Sequence, residues 1–162
     1  MKWLTASLAV LAAITWPREH AFAQTTRADL AGAWSLVSVT VEEGGHKRDV
    51  QGPNPKGRLM LDNSGHYAVL TFSQDQAKFV SNNRLEATSE ESKALLSGTL
   101  AHYGTYSQEG NVLVFHIERC TFPNWDGIEQ RRSFALKGDE LTYTTPGSTG
   151  AGPTQLVWKR LQ

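Results

Sequence analysis

The strongest constraint on the fold is a strand pattern that begins at Gly32. Residues 34–41 form a short run of alternating apolar and polar side chains, as expected for a strand with one buried face. Glycine lets a strand start close to its neighbours, and the indole of Trp34 is large enough to plug the narrow end of a small closed sheet. The pattern therefore predicts that a cup-shaped β-barrel starts here.

The first 23 residues have the features of an export signal. Lys2 supplies a positive start, residues 4–15 are mostly apolar, and Ala21-Phe22-Ala23 fits the small-x-small site that signal peptidase cleaves. A membrane anchor needs about 20 apolar residues, and the polar stretch 17–20 ends this run earlier. We therefore predict a signal peptide over residues 1–23, an N-terminal linker over 24–29, and a periplasmic or secreted protein.

The remaining chain is sized for one domain and is nearly neutral. Of the 16 basic and 16 acidic residues, the signal peptide holds Lys2, Arg18 and Glu19, which leaves 14 against 15. A protein that neutralises nucleic-acid phosphates carries a clear excess of positive charge, so we predict no nucleic-acid partner. We also predict no later membrane span, because no later run is long and apolar enough. Residues 30–162 are predicted to form the barrel domain.

Strand patterns recur along this domain with turn residues between them. The turns at 62–65, 109–110 and 138–139 each contain a glycine, which accepts the positive φ of a hairpin, and each separates two strand-like runs. A last strand pattern follows the glycine- and proline-rich stretch 146–153. The count of roughly eight predicts an all-β fold, an antiparallel barrel of the size that holds one small ligand.

One short helix is predicted to interrupt the strands. Thr88 and Glu91 have the spacing of a capping box, and the glutamates near its start favour the positive end of the helix dipole. The predicted helix extends to about Leu100, and Leu95 and Leu96 contribute to an apolar side. We expect this helix to lie on the barrel or to close one mouth, although a simple connector fits the pattern equally well.

The register of the hairpin that follows residue 103 is predicted from its turn. With Glu109-Gly110 as a two-residue turn, Tyr103 lies opposite His116, and the next hairpin allows His116 to face Arg132. This register places Tyr103 and His116 in the lumen. Alternation argues the other way for His116, because both residues that flank it are apolar.

A predicted inward arginine raises the question of what compensates its charge. Gln130, Arg132 and Phe134 lie on the more apolar face of their strand, which is expected to point inward. A guanidinium inside a barrel needs either a carboxylate or an anionic or carbonyl ligand. Glu118 is the candidate internal partner, with Gln130 completing the hydrogen bonds. The alternative is that the cluster faces a ligand, and the two interpretations are compatible.

Seven residues are predicted to form a ligand site in the lumen. The aromatic members supply apolar wall and the polar members orient the ligand. Trp125 lies in a turn, where its indole either packs locally or covers the barrel mouth. The predicted site residues are Tyr103, His116, Trp125, Gln130, Arg132, Phe134 and Tyr143.

The sequence predicts no metal site and no cofactor. The histidines lack the short paired spacing of a zinc site, and Cys120, the only cysteine, cannot complete one. No glycine loop of the phosphate-binding kind opens a helix, and no serine lies in a nucleophile elbow. A single cysteine also excludes an intramolecular disulfide.

Several segments, in order, resemble the lipocalin-like domain family of bacteria and fungi. They are LAGAWSLVS (30–38), GPNPKG (52–57), the acidic helix start, YGTY (103–106), FHI (115–117), FPNWDG (122–127) and QRR (130–132), and the match extends to about Thr145. The resemblance implies a lipocalin-type barrel and supplies no activity. Some fungal relatives with such barrels steer a cyclisation in secondary-metabolite pathways, so the resemblance leaves an enzyme open.

These predictions lead to one preferred function and two alternatives. The preferred function is an exported lipocalin-like protein whose lumen binds a small, mostly apolar molecule with an anionic or carbonyl group. The first alternative is an isomerase or cyclase in which Arg132 stabilises negative charge and His116 or Tyr103 moves a proton. The second is an envelope protein whose barrel is filled by its own side chains. A cavity well below about 300 Å³ would favour the filled barrel.

Overall fold

The strands of this chain, described here as a computed structural model, close into an antiparallel barrel. The structure describes residues 25–147 and 152–162. Its strands are β1 (Gly32–Glu43), β2 (His46–Asp49), β3 (Lys56–Leu61), β4 (His66–Phe72), β5 (Thr99–Glu109), β6 (Val112–Cys120), β7 (Glu129–Lys137), β8 (Glu140–Thr145) and β9 (Thr154–Arg160). Strands β1 and β3–β9 form the barrel wall, and β9 pairs back onto β1. The predicted eight-stranded antiparallel barrel is confirmed, whereas the predicted signal peptide lies outside the described residues.

The alternation pattern did not predict strand β2. All four of its residues are exposed, so no apolar period marks it. The turn at Gly44 and Gly45, with φ of +58° and +80°, folds β2 back onto the end of β1. Strand β2 therefore extends the β1 hairpin beyond the wall and adds no strand to the closed barrel.

One end of the barrel is closed by the predicted indole plug. Trp34 is fully buried, and its Nε1 donates a hydrogen bond of 3.0 Å to the carbonyl oxygen of Leu30. Leu30 ends a short helix, α1 (Arg27–Leu30), which overlaps the end of the predicted linker and the first residue of the predicted domain. The guanidinium of Arg160 lies 4.1 Å from the centre of a Trp34 ring. The full burial of Trp34 between Leu30 and Arg160 agrees with the predicted plug.

The predicted helix lies at the opposite end of the barrel. Helix α2 (Ser89–Gly98) starts after Thr88, whose hydroxyl accepts a hydrogen bond of 3.1 Å from the Glu91 amide. The Glu91 carboxylate accepts in return from the Thr88 amide at 2.8 Å, so the predicted capping box is confirmed. Single 3₁₀ turns lie at Arg84–Glu86 and Pro123–Trp125. Within the described residues, no helix is long and apolar enough to cross a membrane.

The predicted register of the β5–β6 hairpin is wrong. Glu109 pairs with Val112, so the turn lies at residues 110–111, and Thr105 rather than Tyr103 lies opposite His116. A bulge next to Gly104 shifts the pairing again and places Tyr103 opposite Arg119. A Cβ at Gly104 would lie 2.1 Å from the carbonyl oxygen of His116, so only glycine fits where the two backbones approach.

The predicted register of the β6–β7 hairpin is also wrong. Arg132 pairs with Leu113, and His116 pairs with Glu129 instead of Arg132. The difference is an odd number of residues, which exchanges the two faces of β6. The apolar side chains that flank His116 therefore point inward, and His116 points out. The strand adopts the register that buries the apolar side chains of β6, and not the register predicted from the turns.

Candidate functional site

A cavity of about 780 Å³ occupies the lumen and opens at the α2 end of the barrel. This volume lies within the roughly 300–1,000 Å³ of usual small-molecule sites. Its wall is mostly apolar and comes from the strands, α2, the loop at residues 121–125, and Pro146 and Gly152. The lining residues include Val39, Val50, Gln51, Val69, Thr71, Leu96, Leu100, His102, Phe122, Trp125, Arg132, Tyr143, Thr145 and Leu156.

Arg132 is the charged residue in the described lining of this cavity. Its side chain is almost fully buried, at 1% exposure. Its Nη2 donates a hydrogen bond of 2.8 Å to Oε1 of Gln130, from the same face of β7. Its Cζ lies 4.6 Å from the ring centre of Phe115 and 5.2 Å from that of Tyr143. The aromatic faces offset part of the cost of burying the charge.

No carboxylate compensates the Arg132 charge in the part of the chain that the structure describes. The ion pairs there all involve other basic residues. Glu118, the predicted partner, is exposed on the outer face of β6, so the predicted Arg132–Glu118 ion pair is wrong. The described lining of the cavity contains no Asp or Glu. The lumen therefore carries one positive charge that no carboxylate of the described residues balances.

His102 lies beside Arg132 as a neutral imidazole. Burial, together with the nearby Arg132 charge, lowers the pKa of His102 to about 2. Its Nε2 lies 3.3 Å from Nη2 of Arg132, which can only donate, so Nε2 accepts and the proton is assigned to Nδ1. Nδ1 lies 2.9 Å from the hydroxyl of Tyr67. This neutral side chain keeps the single charge of the lumen on Arg132.

The predicted site residues fall into three positions. Trp125, Arg132 and Tyr143 line the cavity. Gln130 is buried next to Arg132 and holds its guanidinium, while Phe134 is buried in the core and does not line the cavity. Whether any of them contacts a ligand stays a prediction.

Tyr103 and His116 are not in the lumen, which corrects their predicted placement. Tyr103 is 50% exposed on the outer face of β5. His116 is exposed on the outer face of β6, with its Nδ1 3.5 Å from a carboxylate oxygen of Glu129. Both assignments depended on the wrong registers of the hairpins that contain β6.

Sequence reasoning missed His102 and Gln51 as lining residues. His102 lies on the same face of β5 as Gly104 and Tyr106, and all three are buried. Alternation along β5 would have predicted this inward face if Gly104 had been recognised as the point where β5 and β6 approach closely. Gln51 donates a hydrogen bond of 3.0 Å to Thr71, but it lies in a loop, where no sequence period marks it. The described residues bring together no group of three or more metal-ligating side chains.

Chemically, the cavity suits binding more than proton transfer. A fixed positive charge lies among aromatic and aliphatic walls, which matches a ligand with one polar end and an apolar body. With a pKa of about 2, His102 is neutral at neutral pH. Its one ring N–H, on Nδ1, faces Tyr67. The site therefore lacks a histidine that alternates between acid and base near pH 7.

Known proteins that are similar to this chain include a solved structure and a domain family. A mutant of the fluorescent protein UnaG is similar in structure at 12% sequence identity and a TM-score of 0.38, over 83% of this chain and 98% of that chain. No curated protein shows significant similarity to the chain. The model of the lipocalin-like domain family matches residues 31–161, which extends beyond the match expected from the sequence segments and includes β9. The chain belongs to the lipocalin-like domain family.

Proposed function

We propose that this protein binds a small, mostly apolar molecule with an anionic or carbonyl group in the lumen of its barrel. The single observation that carries the proposal is the buried charge of Arg132, which faces an open cavity and has no carboxylate partner among the described residues. Burying a charge is costly unless a partner compensates it. An anionic ligand supplies that partner, and the apolar wall accommodates the rest of the molecule.

The two alternative functions are less well supported by the site. The isomerase or cyclase hypothesis assigned proton transfer to His116 or Tyr103, and both lie on the outer face. The filled-barrel hypothesis requires a cavity well below about 300 Å³, whereas this cavity measures about 780 Å³. Ligand binding without catalysis is therefore the function that we propose.

The proposal is tested by identifying a ligand and then removing the charge. Native mass spectrometry of protein purified from its own host is expected to detect a bound small molecule. Thermal-shift screening with fatty acids and aromatic acids is expected to show stabilisation, because a ligand that binds only the folded state raises the melting temperature. An empty protein from the host, together with no stabilisation by any acid, would contradict the proposal.

Arg132→Met measures how much the charge contributes. Loss of a charge-assisted contact to a buried anion is expected to weaken acid binding about tenfold or more. Arg131→Met is the matched control, because Arg131 is the next residue, lies on the outer face and pairs with Glu109 and Glu129. Equal affinity of wild type and both variants would contradict the role of Arg132.

We also propose that the protein is exported. The support is the sequence of residues 1–23 alone, because those residues lie outside the described part of the chain. The mass and N-terminal sequence of the protein isolated from its host test this proposal. Cleavage after Ala23 and recovery from the periplasm or the medium are expected. An intact N-terminus in the cytoplasmic fraction would contradict it.

A further inference from the structure

Three buried polar atoms at the inner face of β7, β8 and β9 define a group distinct from the Arg132–Gln130 contact. The Nε of Arg132, the hydroxyl of Tyr143 and Nε1 of Trp158 each make no hydrogen bond of normal geometry with the described residues. The Tyr143 ring lies between the other two. Its centre is 6.0 Å from that of Trp158 and 5.2 Å from Cζ of Arg132. None of the three residues is more than 1% exposed.

All three atoms carry a hydrogen that can be donated. The guanidinium Nε and the indole Nε1 are donors only, and a phenol hydroxyl donates when it meets an acceptor. Burial raises the pKa of Tyr143, while the Arg132 charge and the Trp158 N–H act in the opposite direction, which places both groups close to the hydroxyl. Buried donors without acceptors cost free energy. The chemical complement of this group is an oxygen atom that accepts hydrogen bonds.

Charge narrows the choice among oxygen-bearing groups. Arg132 contributes one positive charge, and the neighbouring His102 is neutral. One positive charge balances a monoanion such as a carboxylate. A phosphate monoester brings a second negative charge, which would remain buried without compensation. The rest of the lining is mostly apolar and includes Leu96 of α2, Leu100 and Val39, which suit an apolar body.

We propose that Arg132 and Tyr143, which line the cavity, form a head-group subsite for amphipathic monocarboxylates, and that Trp158, next to Tyr143, is a positioning residue. The ligand enters head first, its carboxylate accepts hydrogen bonds from Arg132 and Tyr143, and its apolar part extends toward the α2 end. This inference rests on the proposed function and goes beyond it, because it assigns Tyr143 as a donor to the head group and Trp158 as the residue that positions the Tyr143 hydroxyl.

The first experiment compares three probes that share one alkyl chain. Dodecanoate, dodecanamide and dodecyl phosphate are titrated into the full mature protein by calorimetry. Wild type is expected to bind dodecanoate about tenfold or more tightly than either of the other two, since the amide lacks the charge and the phosphate carries one charge too many. Equal affinity for all three probes would overturn the subsite.

Two conservative variants then remove one donor each. Both Tyr143→Phe and Trp158→Phe keep an aromatic ring. Tyr143→Phe is expected to weaken dodecanoate binding about tenfold, and Trp158→Phe by a smaller factor, because Trp158 acts through the Tyr143 hydroxyl. Tyr103→Phe is the matched control, because the Tyr103 ring lies on the outer face, and its affinity is expected to equal that of wild type. Unchanged dodecanoate affinity in Tyr143→Phe and Trp158→Phe would overturn the subsite while lumen binding stands.

A spectroscopic measurement locates the head group without relying on a variant to bind. The indole N–H signal of Trp158 in ¹⁵N spectra, assigned by its loss in Trp158→Phe, is expected to move downfield when dodecanoate binds. A signal that stays in place while dodecanoate binds would overturn the subsite. Failure of every probe to bind, in a protein that is also empty when isolated from its host, would overturn the proposed function and the subsite with it.

Discussion

The closed end of the barrel and the lumen each contain an arginine stacked on an aromatic ring, and the two arginines differ in whether their donors are paired. At the closed end, Arg160 lies over Trp34, donates to the carbonyl oxygens of Ala31 and Asp29, and approaches the carboxylate of Asp139. In the lumen, Arg132 lies over Phe115 and Tyr143, and its Nε has no partner among the described residues. Arg160 therefore stabilises the closed end through its hydrogen bonds, whereas Arg132 keeps an unpaired donor in the lumen.

The closed end is expected to give the largest loss of stability. Trp34→Ala removes the indole that plugs the barrel, and deleting a fully buried large side chain costs about 3–5 kcal/mol. Tyr103→Ala is the control, because the half-exposed Tyr103 is expected to cost much less. Denaturant titration of both variants measures the difference in the free energy of unfolding. Similar losses would break the comparison, since the outer ring would then contribute as much as the plug.

The two arginines themselves give the next largest difference. Arg160→Met is expected to lower the free energy of unfolding by about 2–3 kcal/mol, because backbone carbonyls lose charged donors. Arg132→Met is expected to change it by about 1 kcal/mol or less, because removal of an uncompensated buried charge offsets the lost Gln130 contact. The same titration compares them. A larger loss for Arg132→Met would mean that Arg132 stabilises the fold at least as much as Arg160 does.

Lowering the pH is expected to destabilise the folded protein through His102 in the lumen. His102 has a folded-state pKa of about 2, below its ordinary value of 6.5, so its contribution to stability is intact above pH 6.5 and is lost progressively below it. Between pH 7 and pH 5 this single group is expected to cost about 2 kcal/mol.

Replacing His102 tests the acid effect directly. In His102→Gln, the stability difference between pH 7 and pH 5 is expected to shrink by that amount, whereas His116→Gln, a change on the outer face, is expected to follow wild type. Denaturant midpoints at both pH values provide the measurement. Equal pH dependence in wild type and His102→Gln would contradict the assignment of the effect to His102.

The smallest effect is expected from Glu118. Because Glu118 lies on the outer face and forms no ion pair with Arg132, Glu118→Gln is expected to change stability by no more than about 0.5 kcal/mol. Ligand affinity is expected to stay the same. A loss of several kcal/mol, coupled to Arg132→Met in a double-mutant cycle, would restore the internal ion pair and remove the contrast between the two arginines.

The sequence contained most of the fold because the signals involved are local. Gly32 and Trp34 indicated the first strand and the plug, and Thr88 and Glu91 indicated the start of α2. Each depends on residues close together in the chain, as do the hairpin turns. The lipocalin-like family was likewise recognised from short ordered segments, and the family model confirms it.

The site was harder to predict because it depends on register. The β5–β6 turn lies one residue later than predicted, and the bulge at Gly104 adds a further shift. These changes separate Tyr103 and His116 from the lumen and bring in His102. The inward position of Arg132 was predicted correctly, because alternation within one strand does not depend on the neighbouring strand. The predicted pairing of Arg132 with Glu118 did depend on the neighbouring strand, and it is wrong.

The pairing of β9 with β1 has a consequence for how this barrel folds. Most wall contacts join strands that are consecutive in the chain, so they can form as hairpins within microseconds. The pairing that includes Trp34 opposite Arg160 joins the two ends of the domain and requires closure of nearly the whole chain. Such a non-local contact makes closure the slow, cooperative step of folding. Before it forms, the edges of β1 and β9 are open to pairing with other chains, so the unclosed barrel is the state in which this protein is most prone to aggregate.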